Sequence, residues 1–355
     1  MEAAEISYVH LFQVFMDSLT QIVLGAACGE VALGNKIGNK ALLFGAIGGT
    51  IPDLDVFIGR LLYANEIDTM AFHRGFMHSI VFAIIAAFFF GILMHWIYNR
   101  GKRLNTTTQK DWTWLFFLSI FTHPILDSFT PYGTQLFLPF SDYRVAFNSI
   151  SVVDLIYTLP FLICLIITMF FKRNSSKRQL FTRLGLYISS FYMLLTLGNK
   201  IYINQVYKKS LKEKGVVYER FQTQPTIFNN LLWYGVAETK DDYFIGLYSV
   251  LDRASGITNW QKLPKNHHLV PIDDKDIQTL AWFSNGYYNL IPQEEANTFR
   301  YNDLRYPLLN ENDPNSSLFS FTIKKEGARW NVLPFNGKPP SSEDLKIFWT
   351  RIKGN

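Results

Sequence analysis

Thr50-Ile51-Pro52-Asp53-Leu54-Asp55, with His73-Arg74-Gly75-Phe76-Met77-His78-Ser79 further on, decides how this chain is read. The first run closes one apolar segment and the second opens the next. Two carboxylates and two imidazoles therefore stand at the ends of apolar stretches. A third imidazole and a third carboxylate, His123 and Asp127, lie inside a later apolar segment. Such groups are expensive at membrane depth and are kept there for function. The residue types predict a metal site.

The mean hydropathy of +0.06 for the 355 residues averages two unlike parts. Residues 17–203 are dominated by apolar runs, whereas 204–355 are polar, aromatic and rich in turn residues. Six stretches, 18–34, 41–59, 79–98, 112–130, 151–171 and 181–203, approach the roughly 20 apolar residues that a bilayer crossing needs. The expected fold is an all-α membrane domain of about six transmembrane helices over 17–203, preceded by a 1–16 leader. A C-terminal α+β soluble domain over 204–355 follows. Strands are read at 244–251 and 318–323, and a final helix at 342–352. The leader lacks a basic n-region, so insertion is expected from the first span, with Met1 or Met16 as the start. Cys28 and Cys164 both sit in apolar runs and read as buried small side chains. No basic block points to nucleic acid; the oligomeric state is left open.

Lys and Arg assign the sides. Lys36 and Lys40 mark the first connection, Arg100, Lys102, Arg103 and Lys110 the third, and Lys172, Arg173, Lys177 and Arg178 the fifth. The positive-inside rule makes these odd connections cytoplasmic. Asp53, Asp55, His73, His78, His123 and Asp127 then converge on the opposite, extracytoplasmic face, together with the C-terminal domain. His123 and Asp127 share a helix face at i, i+4. Mixed imidazole and carboxylate donors suit zinc, manganese or iron, and several carboxylates permit one or two ions. Arg74 is placed to hold a phosphate or to pair with an acid. Asp154, at the outer start of the fifth segment, is a candidate support for the cluster. His95, about 25 Å from His78 along a helix, is assigned to the other interface. Glu30 is expected to pair with Lys36 or Lys40, and His267-His268 to be a surface pair.

Ile51-Pro52-Asp53-Leu54-Asp55, His73 to Ser79 and Thr122-His123-Pro124-Ile125-Leu126-Asp127-Ser128-Phe129-Thr130-Pro131-Tyr132-Gly133 resemble the YdjM-type bacterial inner-membrane proteins, described as membrane-bound metal-dependent hydrolases. The likeness covers about residues 16–170. It implies a multi-pass inner-membrane location and, through a distant similarity to zinc-dependent phospholipase C and single-strand-specific nucleases, zinc ions and phosphoester cleavage. Many members carry histidine where this chain has Gln21. A neutral amide is a poor zinc ligand, so Gln21 is expected beside the cluster rather than on the metal.

The reading is therefore a hydrolase in which metal-activated water cleaves a phosphoester of a membrane lipid or envelope substrate. Asp53, Asp55, His73, His78, His123 and Asp127 are its ligands; Asp53, Asp55, Asp127 and Arg74 are its catalytic candidates. The rivals are an ion or proton transporter and a non-catalytic scaffold with a structural metal. Tags at Asn355 and in the 60–72 connection are expected to be accessible from outside intact cells, and one near Asn174 protected. Protection of the C-terminal tag would reverse this topology.

Overall fold

Glycines at positions 25, 29, 45 and 49 let two helix backbones touch. In the computed structural model, α1 (Tyr8–Ile37) and α2 (Asn39–Thr50) turn on Gly38, whose φ of 62° suits glycine. A Cβ on Gly25 would lie 2.5 Å from the Gly45 carbonyl oxygen, and one on Gly49 2.6 Å from that of Gln21. The four-residue spacing within each pair puts small residues along one seam. The structure describes residues 8–307, 317–333 and 342–354, with side chains from Ser18 onward. The first seven leader residues thus lie outside it.

Beyond the seam α2 breaks. A 3₁₀ turn over Pro52–Leu54 leads into α3 (Asp55–Leu62), and the pair is bent by 43°. Pro52 contributes no N–H, so the helical ladder cannot run through it. Next come α4 (Glu66–Phe72), α5 (Ile80–Tyr98), α6 (Gln109–Asp127), α7 (Leu155–Met169) and α8 (Ser176–Glu213). All six apolar segments are helical, but they are not six full-length spans. Among the described residues α5 and α8 are long and apolar enough to cross a membrane, and the bent α2–α3 pair makes a third. α7, with 15 residues, is short for a bilayer core of about 30 Å at about 1.5 Å per residue. α6 spends its first turn on Lys110 and Asp111 in a Thr108 capping box.

The distribution of side-chain size is that of a lipid-facing helix. α5 turns Ile85, Phe88, Phe89 and Ile92 outward and Ala83, Ala86, Ala87 and Gly91 inward. Small residues permit close helix contact, and lipid rather than water suits the large apolar ones outside. Cys28 and Cys164 are buried free thiols. Glu30 does not pair with either lysine. Its carboxylate receives Arg178 Nε and Nη2 at 2.6 and 2.5 Å, a bidentate fork that a lysine cannot offer. Lys36 instead binds Asp111 at 2.6 Å.

The chain divides into two compact units: 14–59 with 72–196, and 1–13 with 60–71 and 197–355. The second holds two four-stranded antiparallel meanders. One runs β1 (Arg220–Pro225), β2 (Leu232–Glu238), β3 (Asp242–Ser249), β4 (Trp260–Pro264). The other runs β5 (Tyr288–Pro292), β6 (Thr298–Asp303), β7 (Ser320–Glu326), β8 (Arg329–Leu333). α9 (Lys275–Phe283) and α10 (Ser342–Ile352) complete it. Tyr207 of α8 lies on Gly235, and its hydroxyl donates to the Gly246 carbonyl at 2.7 Å. The 60–71 loop also belongs here: Ile67, fully buried, packs with Ile277, Leu280, Tyr301 and Trp330. Asn65 Nδ2 donates to the Trp330 carbonyl at 2.9 Å, and Arg329 pairs with Asp68 at 2.8 Å. His267 is not a simple surface residue, since it stacks on Tyr288 at 3.9 Å and donates to that residue's carbonyl. Burial holds its imidazole below the usual pKa.

Gly45→Val is expected to lower the melting temperature of the purified protein, because the new side chain meets backbone that cannot yield; overpacking typically costs about 1–3 kcal/mol. Gly198→Ala, where nothing lies within 4 Å of the added Cβ, is the control and should leave it unchanged or slightly raised.

Candidate metal centre

The break after α2 and the 3₁₀ turn over Phe76–His78 bring Asp53 and His78 to the end of α6, where His123 and Asp127 project from one face. Asp53, His78 and His123 form a group that could hold a metal ion. The two Nε2 atoms are 3.2 Å apart. Asp53 Oδ1 lies 3.5 Å from His78 Nε2 and 3.4 Å from His123 Nε2. Asp127 Oδ2 lies 3.5 and 3.4 Å from the same two nitrogens. Zinc bonds of about 2.0–2.1 Å to nitrogen and oxygen give a tetrahedron with edges of about 3.3–3.4 Å. The three separations among Asp53, His78 and His123 match those edges, and Asp127 lies beside the two histidines outside that group.

The outer nitrogens decide what the inner ones present. His123 Nδ1 lies 2.6 Å from the Gly49 carbonyl oxygen, which can only accept, so Nδ1 carries the proton. His78 Nδ1 faces Asp55 Oδ2 at 3.1 Å, close although short of full hydrogen-bond geometry. As metal ligands both rings would be neutral, with their Nε2 lone pairs turned toward each other and toward the carboxylate oxygens. Nε2 lone pairs and carboxylate oxygens at such spacing repel unless a proton or a metal cation lies among them. Anchoring of the second ring nitrogen by a carbonyl or carboxylate is the habit of metal-binding histidines. Asp127 Oδ2 is buried, with Arg74 Nε 3.3 Å away on one side and the two histidines on the other.

The other candidate residues are placed as follows. Asp55 spends Oδ1 on His73 Nδ1 at 2.8 Å and Oδ2 on the Arg74 N–H at 2.9 Å as well as facing His78. It orients two imidazoles from beneath. His73, partly exposed, reaches the cluster through Asp55, its ring centroid 5.7 Å from that of His78. Arg74 pairs with an acid: Nε lies 3.3 Å from Asp127 Oδ2, and Nη1 donates to Thr130 Oγ1 at 2.9 Å. Its φ of 57° is left-handed, a strained conformation for a residue with a Cβ and one that collects at functional sites. Gln21 Nε2 donates to Asp127 Oδ1 at 2.7 Å and to the His123 carbonyl at 3.3 Å. It thereby fixes the carboxylate so that Oδ2 faces the histidines. Asp154 is elsewhere in its bonding, accepting from the Ile156 and Tyr157 N–H groups as the cap of α7 and from the Tyr192 hydroxyl.

Three participants carry no signal in a residue-by-residue search for ligands. Gly49 acts through its backbone, Thr130 holds Arg74, and the Tyr132 ring lies against the Arg74 guanidinium at 4.8 Å. The last two lie inside the third motif, Thr122 to Gly133, and could have been drawn from it.

Fold and site together define a helical membrane protein with a buried histidine–aspartate cluster. The YdjM inner membrane protein pattern matches residues 16–204, and the chain belongs to that family. It is 30% identical over 146 residues to the uncharacterized protein YfhP of Bacillus subtilis, covering 39% of this chain and 42% of that one. It is 35% identical over 123 residues to the inner membrane protein YbcI of Escherichia coli, covering 33% of this chain and 64% of that one. The chain thus matches less than two thirds of either relative. No solved structure matches it.

Asp55→Asn is expected to weaken metal binding about 10–100-fold, as loss of an orienting carboxylate does, measured by competition with a chelating dye. His123→Ala and Asp127→Ala should abolish stoichiometric metal in the purified protein and His95→Ala should not. Equal metal content in all of them would refute the site.

Proposed function

We propose that this chain is a membrane-bound metal-dependent hydrolase that cleaves a phosphoester of a lipid or other envelope substrate. The observation that carries the reading is the group of three donor atoms from Asp53, His78 and His123 at metal-ligand spacing, with both histidines held from behind. Asp53, His78 and His123 would hold the ion, with Asp127 completing the set or accepting a proton. A bound divalent ion, zinc by preference of the donor set and manganese or iron as substitutes, supplies Lewis acidity toward a phosphoryl oxygen and toward water. Gln21 and Arg74 hold the Asp127 carboxylate from two sides, and Arg74 adds a positive charge beside the oxygen that faces the histidines.

The surroundings favour a lipidic substrate. The α6–α7 connection is tied to the site by the Gln135 N–H to Arg74 carbonyl bond at 3.1 Å. It also exposes Phe137, Phe140 and Phe147, with Phe140 85% exposed. Exposed phenylalanines suit the boundary between headgroups and acyl chains, and Tyr143, exposed on the same connection, has the amphipathic ring of the headgroup level. With basic connections inside, this end of the helices faces out. We place the six apolar segments in the bilayer together, the short α7 and the broken α2–α3 pair included, because each bears outward apolar side chains. A transporter would need titratable groups continuing across the membrane. Glu30 is instead locked to Arg178 and Asp154 caps a helix.

Purified protein should contain tightly bound transition metal and turn over bis(p-nitrophenyl) phosphate or a short-chain phospholipid. Chelation should stop the reaction and metal restore it, and Asp127→Ala should lower turnover by at least about 100-fold, the scale of a lost acid–base group. Stoichiometric metal without turnover on any phosphoester would leave a structural metal and overturn the reading.

A further inference from the structure

Far from the metal centre, the α1–α2 turn meets the α7–α8 turn. Ile37 and Gln21 are both on α1, 16 residues apart, which is about 24 Å of helix. The two turns enclose an open cavity of about 630 Å³, lined by Lys40, Lys172, Arg173 and Arg178 with Asn39 and Asn174 and with no acidic side chain. That volume lies within the usual range for small-ligand sites, about 300–1,000 Å³. Among the described residues, Arg178 alone of these cations pairs with an acid, Glu30. Arg173 spends a donor on the Lys36 carbonyl at 2.7 Å, an uncharged partner. Lys40 approaches the Tyr98 ring at 5.7 Å, and Lys172 is exposed. Three positive charges therefore face one concavity without an acidic partner among the described residues.

The floor of this cavity is preformed. Asn39 donates to the Met169 carbonyl at 3.0 Å and accepts from Arg178 Nη1 at 2.8 Å. Arg178 Nη1 also donates to the Phe171 carbonyl at 3.0 Å. The two turns are thus stapled together without using the lysines. α2 starts at the cavity with no side-chain cap on its first N–H groups, so its positive end is open to an anion. Phe170, 83% exposed at the end of α7, supplies an apolar neighbour. Cations ringing a cleft between helices on the basic side of a membrane protein match a phosphate-bearing headgroup.

We propose that this cavity binds a phosphate monoanion or diester on the cytoplasmic side, supplied by an anionic phospholipid of the inner leaflet or by free phosphate. The purified full chain is mixed with phosphatidylglycerol or phosphatidylcholine of the same acyl length, and retained lipid is read by native mass spectrometry. Wild type is expected to retain phosphatidylglycerol and not phosphatidylcholine. Lys40→Ala with Lys172→Ala should weaken retention about thirtyfold, the worth of two basic contacts near a charged headgroup, with metal content unchanged. Lys40→Arg with Lys172→Arg should restore it. Displacement of the lipid by millimolar inorganic phosphate, with the same dependence on the lysines, would assign the site to free anion. Equal retention of the two lipids, equal retention by wild type and the alanine variant, or failure of the arginine variant to rescue would overturn the proposal.

Discussion

Direct contact between the backbones of α1 and α2 is the constraint on which the site depends. Four glycines remove the side chains that would separate the two helices. With α2 drawn in, the Gly49 carbonyl sits where His123 Nδ1 can donate to it. On the other helix of the seam, Gln21 has its own carbonyl against Gly49 and its amide on Asp127. One packing contact thus sets the tautomer of one imidazole and the rotation of one carboxylate. Replacing a glycine here would disturb the cluster without touching any of its side chains.

The buried charges are arranged as two separate systems. At one end of the helices, Asp53, Asp55 and Asp127 face Arg74 and the imidazoles of His73, His78 and His123. Toward the other, Glu30 and Arg178 neutralise each other in a fork that also caps carbonyls at the end of α7. Removing one member of such a pair strands a charge in low dielectric, at a cost of about 3–5 kcal/mol. The second system therefore reads as a fastening of the embedded helices, and the first as the place where chemistry can occur.

The positions of the histidines and acids, and their membership of three motifs, were legible because each interrupts an apolar run. Their division of labour was not. Asp53 and Asp55 look alike in sequence, yet the turn beginning at Pro52 sends one to the histidine Nε2 atoms and the other to Nδ1 atoms. The Glu30–Arg178 fork joins residues 148 positions apart, which no local spacing announces. Hydropathy along the sequence registers six apolar segments but neither the break at Pro52 nor the shortness of α7. The 60–71 loop read as a plain connection because Ile67 finds its core some 200 residues later.

That late core has a consequence for how the chain assembles. Residues 60–71 leave the ribosome well before Ile277, Tyr301 and Trp330, and the Asn65–Trp330 bond closes a separation of 265 residues. Non-local contacts of this length form late, since the entropy of closing the loop is spent before the contact returns anything. The loop's two ends continue into Asp55 and into His73. The stretch of chain between two of the cluster's motifs therefore stays unfinished until β8 is made. A nascent chain with its helices already inserted is still without its loop core, and metal captured by the cluster at that stage would be held by a partly ordered frame.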